Sequence, residues 1–278
     1  MCTDCCLAST IDDTTMSWMS RAQSLQDPMM GTESMGPLLY WLMRSVRPVR
    51  VLEIGSGYTT LLMARANLEN KQAFARERAE LIHKSSNTPL FSDAWYGAAP
   101  VLADPGFYLQ DFTPHLLTVD RRPEDDPDLT AIKCVLEEWG AAEDVEFAHE
   151  NFQDTLRRKK DGVFDFVWFD CGGYAEYTAF IDEGWPLIDP AGGLLILHYT
   201  LTNLAMGAVV RQLKLHQATG GLREFELVSF LEPHKLSQNS FTVIRKIGSF
   251  QERIYEYPDM RMTQDIARLL MEQPPGAS

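Results

Sequence analysis

The sequence predicts an α/β fold: a doubly wound, mostly parallel sheet with an antiparallel last strand and a helical and loop insert after the first strand–helix unit. Three features carry this. Short apolar runs alternate with helix-like stretches through most of the chain, the signature of parallel βαβ units. The first apolar run ends in a glycine turn that opens a helix. The chain then closes on two β-rich runs joined by a short polar link, which suits an antiparallel pair.

In chain order, residues 1 to about 15 read as a weakly ordered lead-in and Met16 to Leu25 as a short helix. From Pro37, "PLLYWLMRSV" has the apolar density of a buried helix, which ends before Pro48 because a proline restricts the residue preceding it. "VRVLEIGSGYTTLLMARA", Val49 to Ala66, supplies the first strand, the glycine turn and the following helix. Strands are then expected at His115 to Asp120, Val145 to Ala148, Phe164 to Asp170 and Gly193 to Tyr199. Helices are expected at Asp128 to Trp139 and Ala175 to Ile188. Phe225 to Leu231 and Ser240 to Lys246, linked by Glu232 to Asn239, form the final pair. One amphipathic helix, about Met262 to Met271, precedes a disordered "QPPGAS".

About fifty residues separate the first helix from the strand at His115, far more than such elements usually need, and inserts of that length serve as lids, binding loops or interfaces. The first part, "NLENKQAFARERAELIHK", is charged and helical. The second, Asn87 to Pro114, carries Phe91, Trp95, Tyr96, Phe107, Tyr108 and Phe112, which either anchor the insert to the body or line a ligand pocket. The organisation expected is a lead-in and helix over 1–36, a ligand-binding domain over 37–248 with the insert at about 67–114, and a C-terminal helix and tail over 249–278.

With 278 residues, 45% of them hydrophobic and 23% charged, the chain can bury the core of one elaborated domain. A net charge of −14 disfavours tight binding to a phosphate backbone, so no nucleic-acid partner is expected. The longest apolar runs, Val163 to Phe169 and Gly193 to Leu197, fall short of the ~20 residues of a membrane helix, and no signal-peptide pattern opens the chain. The expectation is a soluble cytoplasmic protein with no membrane partner. Five cysteines make an odd number for a disulfide framework and read as free thiols in a reducing compartment. Cys2, Cys5 and Cys6 crowd together, but no second Cys/His pair follows at finger-like spacing, so a floppy N-terminus is the simpler reading than zinc.

In an open parallel sheet the ligand sits beyond the carboxyl ends of the strands, where the first strand turns into its helix. Gly55 and Gly57 let the backbone pass close to a ligand there. A dinucleotide site would want a third glycine where this chain has Thr60. Glu53, two residues before the first glycine, is ill suited to a pyrophosphate and well suited to a cationic amine.

On these residues the chain resembles the class I S-adenosylmethionine-dependent methyltransferases, a Rossmann-like superfamily whose first motif is an apolar strand followed by an acid-x-Gly-x-Gly turn. "VLEIGSGYTTLLMA" matches through Gly57, with Thr59 in place of the usual third glycine. The resemblance implies S-adenosylmethionine as cofactor. It puts Glu53 near the cofactor's amino end, and Gly55, Ser56, Gly57 and Thr59 around its methionine and ribose. It puts Asp120, closing "HLLTVD", on the ribose hydroxyls, where a carboxylate can accept two hydrogen bonds. By topology Asn151 and Phe152 fall beside the adenine, and Asp170 in "FDFVWFDCGGY" contacts cofactor or substrate.

Methyl transfer needs chiefly an acceptor held in line, with a general base where a proton must leave. The candidates at strand ends are Asp170, Tyr174 and His198, with Cys171 and Tyr199 beside them. Tyr174 and Tyr177 sit one helical turn apart and either face the pocket or pack. Cys171 reads as space-filling. The metal-dependent catechol-type subgroup has an Asp-Asn pair at the fifth strand end, where this chain has "LLILHYTLTN", so no metal is expected. The amine-methylating motif of nucleic-acid enzymes is likewise unmatched by "DCGGY". His234 and Lys235 read as a solvated loop near the pocket rim.

The leading expectation is a metal-independent O- or N-methyltransferase acting on a small molecule. One alternative keeps the cofactor and changes the reaction: a cyclase or lyase of the azetidine-2-carboxylate synthase type, which releases methylthioadenosine from a closed aromatic pocket. Another is a non-catalytic binding protein whose insert and tail make an interface. An insert of this length is also consistent with a homodimer.

Overall fold

The computed structural model describes residues 17–100, 103–159, 162–219, 224–249 and 260–271. The N-terminal cysteine cluster and the "QPPGAS" tail lie outside them.

Helix α1, Trp18–Gln23, is capped by the Ser17 hydroxyl, and α2, Met35–Val46, stops where Arg47 turns left-handed ahead of Pro48. Strand β1, Arg50–Ile54, leads through the glycine turn into α3, Tyr58–Asn87. A short helix α4, Asp93–Gly97, precedes β2, His115–Asp120, and α5, Pro127–Glu138. Then come β3, Val145–His149; α6, Phe152–Arg158; β4, Phe166–Phe169; and α7, Tyr174–Gly184. The chain continues through β5, Leu194–His198; α8, Leu204–Thr219; β6, Phe225–Leu231; β7, Ser240–Lys246; and α9, Met260–Met271.

Among the described residues the strands form one sheet in the order β3-β2-β1-β4-β5-β7-β6. The first five are parallel, and β7 runs antiparallel to both β5 and β6. The expected mixed sheet is thus the observed one. Alternate residues enter two helix layers. Val51, Leu116, Phe166, Trp168 and Ile196 face α1, α2, α3 and α5, whereas Leu52, Leu117, Val167, Phe169 and Leu195 face α6, α7 and α8. Burial on both faces is why these strands read as unbroken apolar runs.

Three helices lie outside the sequence expectation, α4, α6 and α8. A fourth difference concerns the insert. Residues 58–87 contain no proline or glycine, and an Arg65–Glu69 pair at i,i+4 spacing (2.8 Å) supports the exposed face. So the first part of the insert is the outer half of one 30-residue helix, which ends where Thr88 is held extended before Pro89.

That outer half carries a second, smaller core. Phe74, Leu81 and Ile82 of α3 pack with Trp95, Tyr108 and Phe112, with Phe91, Tyr96 and Phe107 at its edge, and with Ile266 and Leu269 of α9. Phe74 meets Phe107, Tyr108 and Phe112 at ring-centroid distances of 5.6, 5.2 and 5.4 Å. The buried Lys84 ammonium donates to the carbonyls of Pro100 (2.6 Å), Ala98 (3.2 Å) and Trp95 (3.4 Å) and sits 3.9 Å from the Trp95 ring centroid. The aromatics of the insert are therefore an anchor.

Candidate active site

The carboxyl ends of β1, β2 and β4 converge on a cleft of about 730 Å³. Its walls include Gly55, Ser56, Gly57, Tyr58, Thr59, Asp120 and Asp170. This is within the ~300–1,000 Å³ of ordinary ligand sites.

Gly55 makes the turn possible. Its φ is +100°, and a Cβ there would lie 2.4 Å from the Asp170 carbonyl oxygen, so β1 and the end of β4 pass at a distance only glycine allows. Gly57 differs, because a Cβ there would meet nothing within 4 Å: the backbone faces open space on the cleft side. Ser56 bridges the strands, its hydroxyl 2.6 Å from that of Thr118 and its amide donating to Asp120 Oδ2 at 3.1 Å.

Glu53 corrects the expectation. It is wholly buried beneath the turn, where its carboxylate accepts from the hydroxyls of Thr59 (2.6 Å), Thr118 (2.7 Å) and Thr60. The Thr60 oxygen in turn accepts from the Gly57 amide at 2.9 Å. Glu53 therefore fixes the turn from behind, and it is absent from the cleft wall where a cofactor's amino end would reach it. Burial pushes its carboxyl up to about 7, against the downward pull of the three hydroxyls, and the charge of Asp170 adds to the rise.

Asp120 lies in the cleft wall as the resemblance implies, but it is already engaged. Oδ1 accepts from the Arg122 amide (2.9 Å), and Oδ2 accepts from Arg122 Nη2 (2.9 Å) as well as from Ser56. Burial works to raise its pKa, but the Arg122 hydrogen bonds and charge outweigh it and hold the carboxyl below the usual aspartate value. The Arg122 guanidinium also donates to the Ser56 carbonyl and lies 3.6 Å from Asp126.

Asp170 presents its carboxylate to the cleft from the end of β4, and His198 holds it from behind. His198 Nδ1 is 2.8 Å from Asp170 Oδ1 and donates to it, while the His198 side chain is completely buried and absent from the cleft wall. His198 cannot reach a substrate as a general base in this arrangement; it orients Asp170. Its Nε2 has no hydrogen-bond partner, like Nε1 of the neighbouring Trp168, whose ring centroid is 5.4 Å from the imidazole. Cys171 lines the cleft, and burial together with the charges of Asp170 and Glu176 raises its thiol to about 12, so it stays protonated and unreactive.

Other expected site residues are placed elsewhere. Tyr174 points toward α8, its hydroxyl 3.4 Å from Gln212 Oε1, in a groove with Val209, Leu213 and His216. Tyr177 is buried in the core, its hydroxyl donating to the His198 carbonyl at 2.9 Å, so the two tyrosines do not act together. Asn151 caps α6 by accepting from the Gln153 amide, and Phe152 packs on Phe169; both border a small pocket beside Arg121, separate from the main cleft. None of the insert aromatics lines the cleft, whose one aromatic side chain among the described residues is Tyr58. Among the described residues no group of three or more His, Cys, Asp or Glu side chains is arranged to hold a metal ion.

Three contributors carry no sequence signal of their own: Arg122, Tyr58 and the segment 24–32. Tyr58 lies in the wall, with Oη buried and unpartnered. Ser24, Leu25, Gln26, Asp27, Met30 and Thr32 close the cleft from the N-terminal side.

No family model matches the chain, and no curated protein matches it in sequence. Solved structures do match. The O-methyltransferase TomG from Streptomyces achromogenes, involved in tomaymycin synthesis and crystallised with S-adenosylmethionine, superposes with a TM-score of 0.53 over 84% of this chain and 91% of its own, at 18% identity. An O-methyltransferase from Bacillus cereus, in complex with S-adenosylhomocysteine, does so with a TM-score of 0.51 over 85% and 93%, at 13% identity. At such identities the likeness is one of fold, and it agrees with the sheet order and the glycine turn: the chain has the Rossmann-like fold of the class I methyltransferases.

Proposed function

We propose that the chain is an S-adenosylmethionine-dependent methyltransferase that acts on an oxygen or nitrogen of a small molecule without a metal. The observation that carries this is the convergence of the glycine turn with two strand-end carboxylates, Asp120 and Asp170, on one cleft in a methyltransferase fold. The open space over Gly57 and the cleft's size fit the cofactor. Gly55, Ser56, Gly57 and Thr59 would hold its methionine end and Asp120 its ribose.

When bound, S-adenosylmethionine supplies a methyl group on a positively charged sulfur that is already electrophilic. The chain's own residues then need chiefly to position an acceptor. Asp170 is the group placed to take the acceptor's proton, and His198, donating from the buried side, fixes the carboxylate's direction. Four aspartates, Asp27, Asp120, Asp128 and Asp170, border the cleft against one arginine, a balance that favours a cationic ligand.

The cyclase reading required an aromatic enclosure around the sulfonium. The insert aromatics that would have built it pack against α3 and α9 instead. Incubating the protein with S-adenosylmethionine alone and following products by mass spectrometry tests this directly. The expected result is intact cofactor until an acceptor is supplied, then S-adenosylhomocysteine; methylthioadenosine without an acceptor would overturn the reading.

A further inference from the structure

The segment Ser24–Ser34 crosses the cleft as a strap, yet little apolar burial holds its middle. Met29 and Met30 are 83% and 49% exposed, and the buried residues there, Gly31 and Thr32, offer almost no hydrophobic surface. One end is anchored by Leu25 on the main core, and the other enters α2, where the Gly36 amide donates to the Thr32 carbonyl at 3.0 Å. What fixes the middle comes from the far end of the chain, the link between β6 and β7.

Lys235 of that link reaches under the strap with its side chain only 9% exposed. Its ammonium donates to the Gly31 carbonyl (2.9 Å), the Ser34 hydroxyl (3.1 Å) and Glu232 (3.1 Å), and it pairs with the Glu33 carboxylate at 2.8 Å. Ser34 closes the ring by donating to Glu232. Beside it Gly31, at φ +64°, lies so close to Gln238 that a Cβ would stand 2.3 Å from the Gln238 Cβ. The link is itself braced, Glu232 N to the Asn239 carbonyl at 2.7 Å and Thr202 Oγ1 to Asn239 Oδ1 at 3.1 Å. A lysine donating to both strap backbone and strap side chains, from a loop fixed at both ends, is a directional fastening that apolar contact would not give. The solvated loop expected for His234 and Lys235 is, at Lys235, the opposite.

We infer that Lys235 is a positioning residue: it fastens the strap over the cleft and so sets how tightly the cleft holds its cofactor, while touching neither cofactor nor acceptor. This rests on the methyltransferase reading for the identity of the ligand, but the fastening itself does not. If the strap is released part of the time, apparent affinity falls by the fraction of molecules still closed.

The test uses the full chain and two readouts, hydrogen–deuterium exchange of residues 24–34 and calorimetric binding of S-adenosylhomocysteine. Lys235→Met is expected to speed exchange in the strap and to weaken binding, each by about tenfold, the equivalent of one strong contact. Exchange in β1 and the start of α3 should stay at the wild-type rate, and Lys235→Arg should restore both readouts. Wild-type exchange in Lys235→Met, or faster exchange with unchanged affinity, overturns the proposal. If Lys235→Met does not fold, Glu33→Gln removes the outer leg at a half-exposed site and should raise strap exchange two- to threefold by the same arithmetic; no rise there overturns it. A wild-type protein that binds no S-adenosylhomocysteine would sink the cofactor reading instead, and the exchange arm would still decide the fastening.

Discussion

Glu53→Gln isolates the one buried carboxyl beneath the glycine turn. With the folded carboxyl near 7 and an ordinary value of 4.5 in the unfolded chain, the folded state holds the proton more tightly between these limits. The unfolded state therefore binds fewer protons there, and stability falls as pH rises through that window. At 1.36 kcal/mol per pKa unit the loss attributable to Glu53 between pH 5 and pH 8 is about 2–3 kcal/mol. Glutamine keeps the shape but cannot ionise. At pH 5, where the wild-type carboxyl is itself protonated and brings one O–H donor, the variant should be less stable by about 1–2 kcal/mol, because its amide brings two N–H donors that must find acceptors among hydroxyls that now donate. By pH 8 the deficit should vanish or reverse. Urea denaturation of both proteins at four pH values between 5 and 8 measures this, and the difference between them cancels every other titrating group. A difference that stays constant across the range would refute the argument that burial, and not the three threonine hydroxyls, governs this carboxyl.

Gly55→Ala should destabilise by at least about 2 kcal/mol and abolish S-adenosylhomocysteine binding, since a Cβ would stand 2.4 Å from the Asp170 carbonyl at a φ of +100°; thermal melting with and without ligand reads both effects. Phe74→Ala empties the centre of the second core and should cost about 3 kcal/mol. Its calorimetric affinity for S-adenosylhomocysteine should equal that of wild type, because that core does not border the cleft.

The central strands were legible because burial on both faces writes β1, β2, β4 and β5 as apolar runs. Strands β6 and β7, not buried on both faces, were legible from their β-rich composition and short link, and with β2 they fall on the predicted residues. Helix α6 is seven residues long, too short for periodicity to show. Helix α8 carries both a stripe, Met206, Val209, Val210 and Leu213, and a cap, Asn203, whose Oδ1 accepts from the Met206 amide at 2.9 Å, so it was legible in the sequence although no helix was expected there. The site divides differently. Gly55, Asp120 and Asp170 were readable because strand ends and turns constrain residue type locally. Glu53 and His198 were read as residue types suited to a ligand, yet burial, which depends on what three other strands place around them, turned both into supports. The strap and Lys235 are about 200 residues apart in sequence, and no local pattern could join them.

If Asp120 takes the cofactor's ribose, as proposed above, its existing hydrogen bonds decide how the ribose enters. A carboxylate accepts about four hydrogen bonds, and Asp120 already takes three, from the Ser56 amide, the Arg122 amide and Arg122 Nη2. Two ribose hydroxyls need two places, so the guanidinium has to leave while the amides remain. Leaving is easy, because Asp126 and Asp128 stand 3.6 and 4.0 Å from its other nitrogen and keep the charge paired. Arg122 is then a competitor for the ligand's place, although its position in the cleft wall invites the opposite reading. Arg122→Met should bind S-adenosylhomocysteine about three- to tenfold more tightly, as expected for removing one partly exposed charged hydrogen bond from the contest. Titration calorimetry of the variant beside Asp120→Asn, which should bind more weakly, separates the cases. Weaker binding by Arg122→Met would show that the guanidinium serves the ligand and that Asp120 holds at most one ribose hydroxyl.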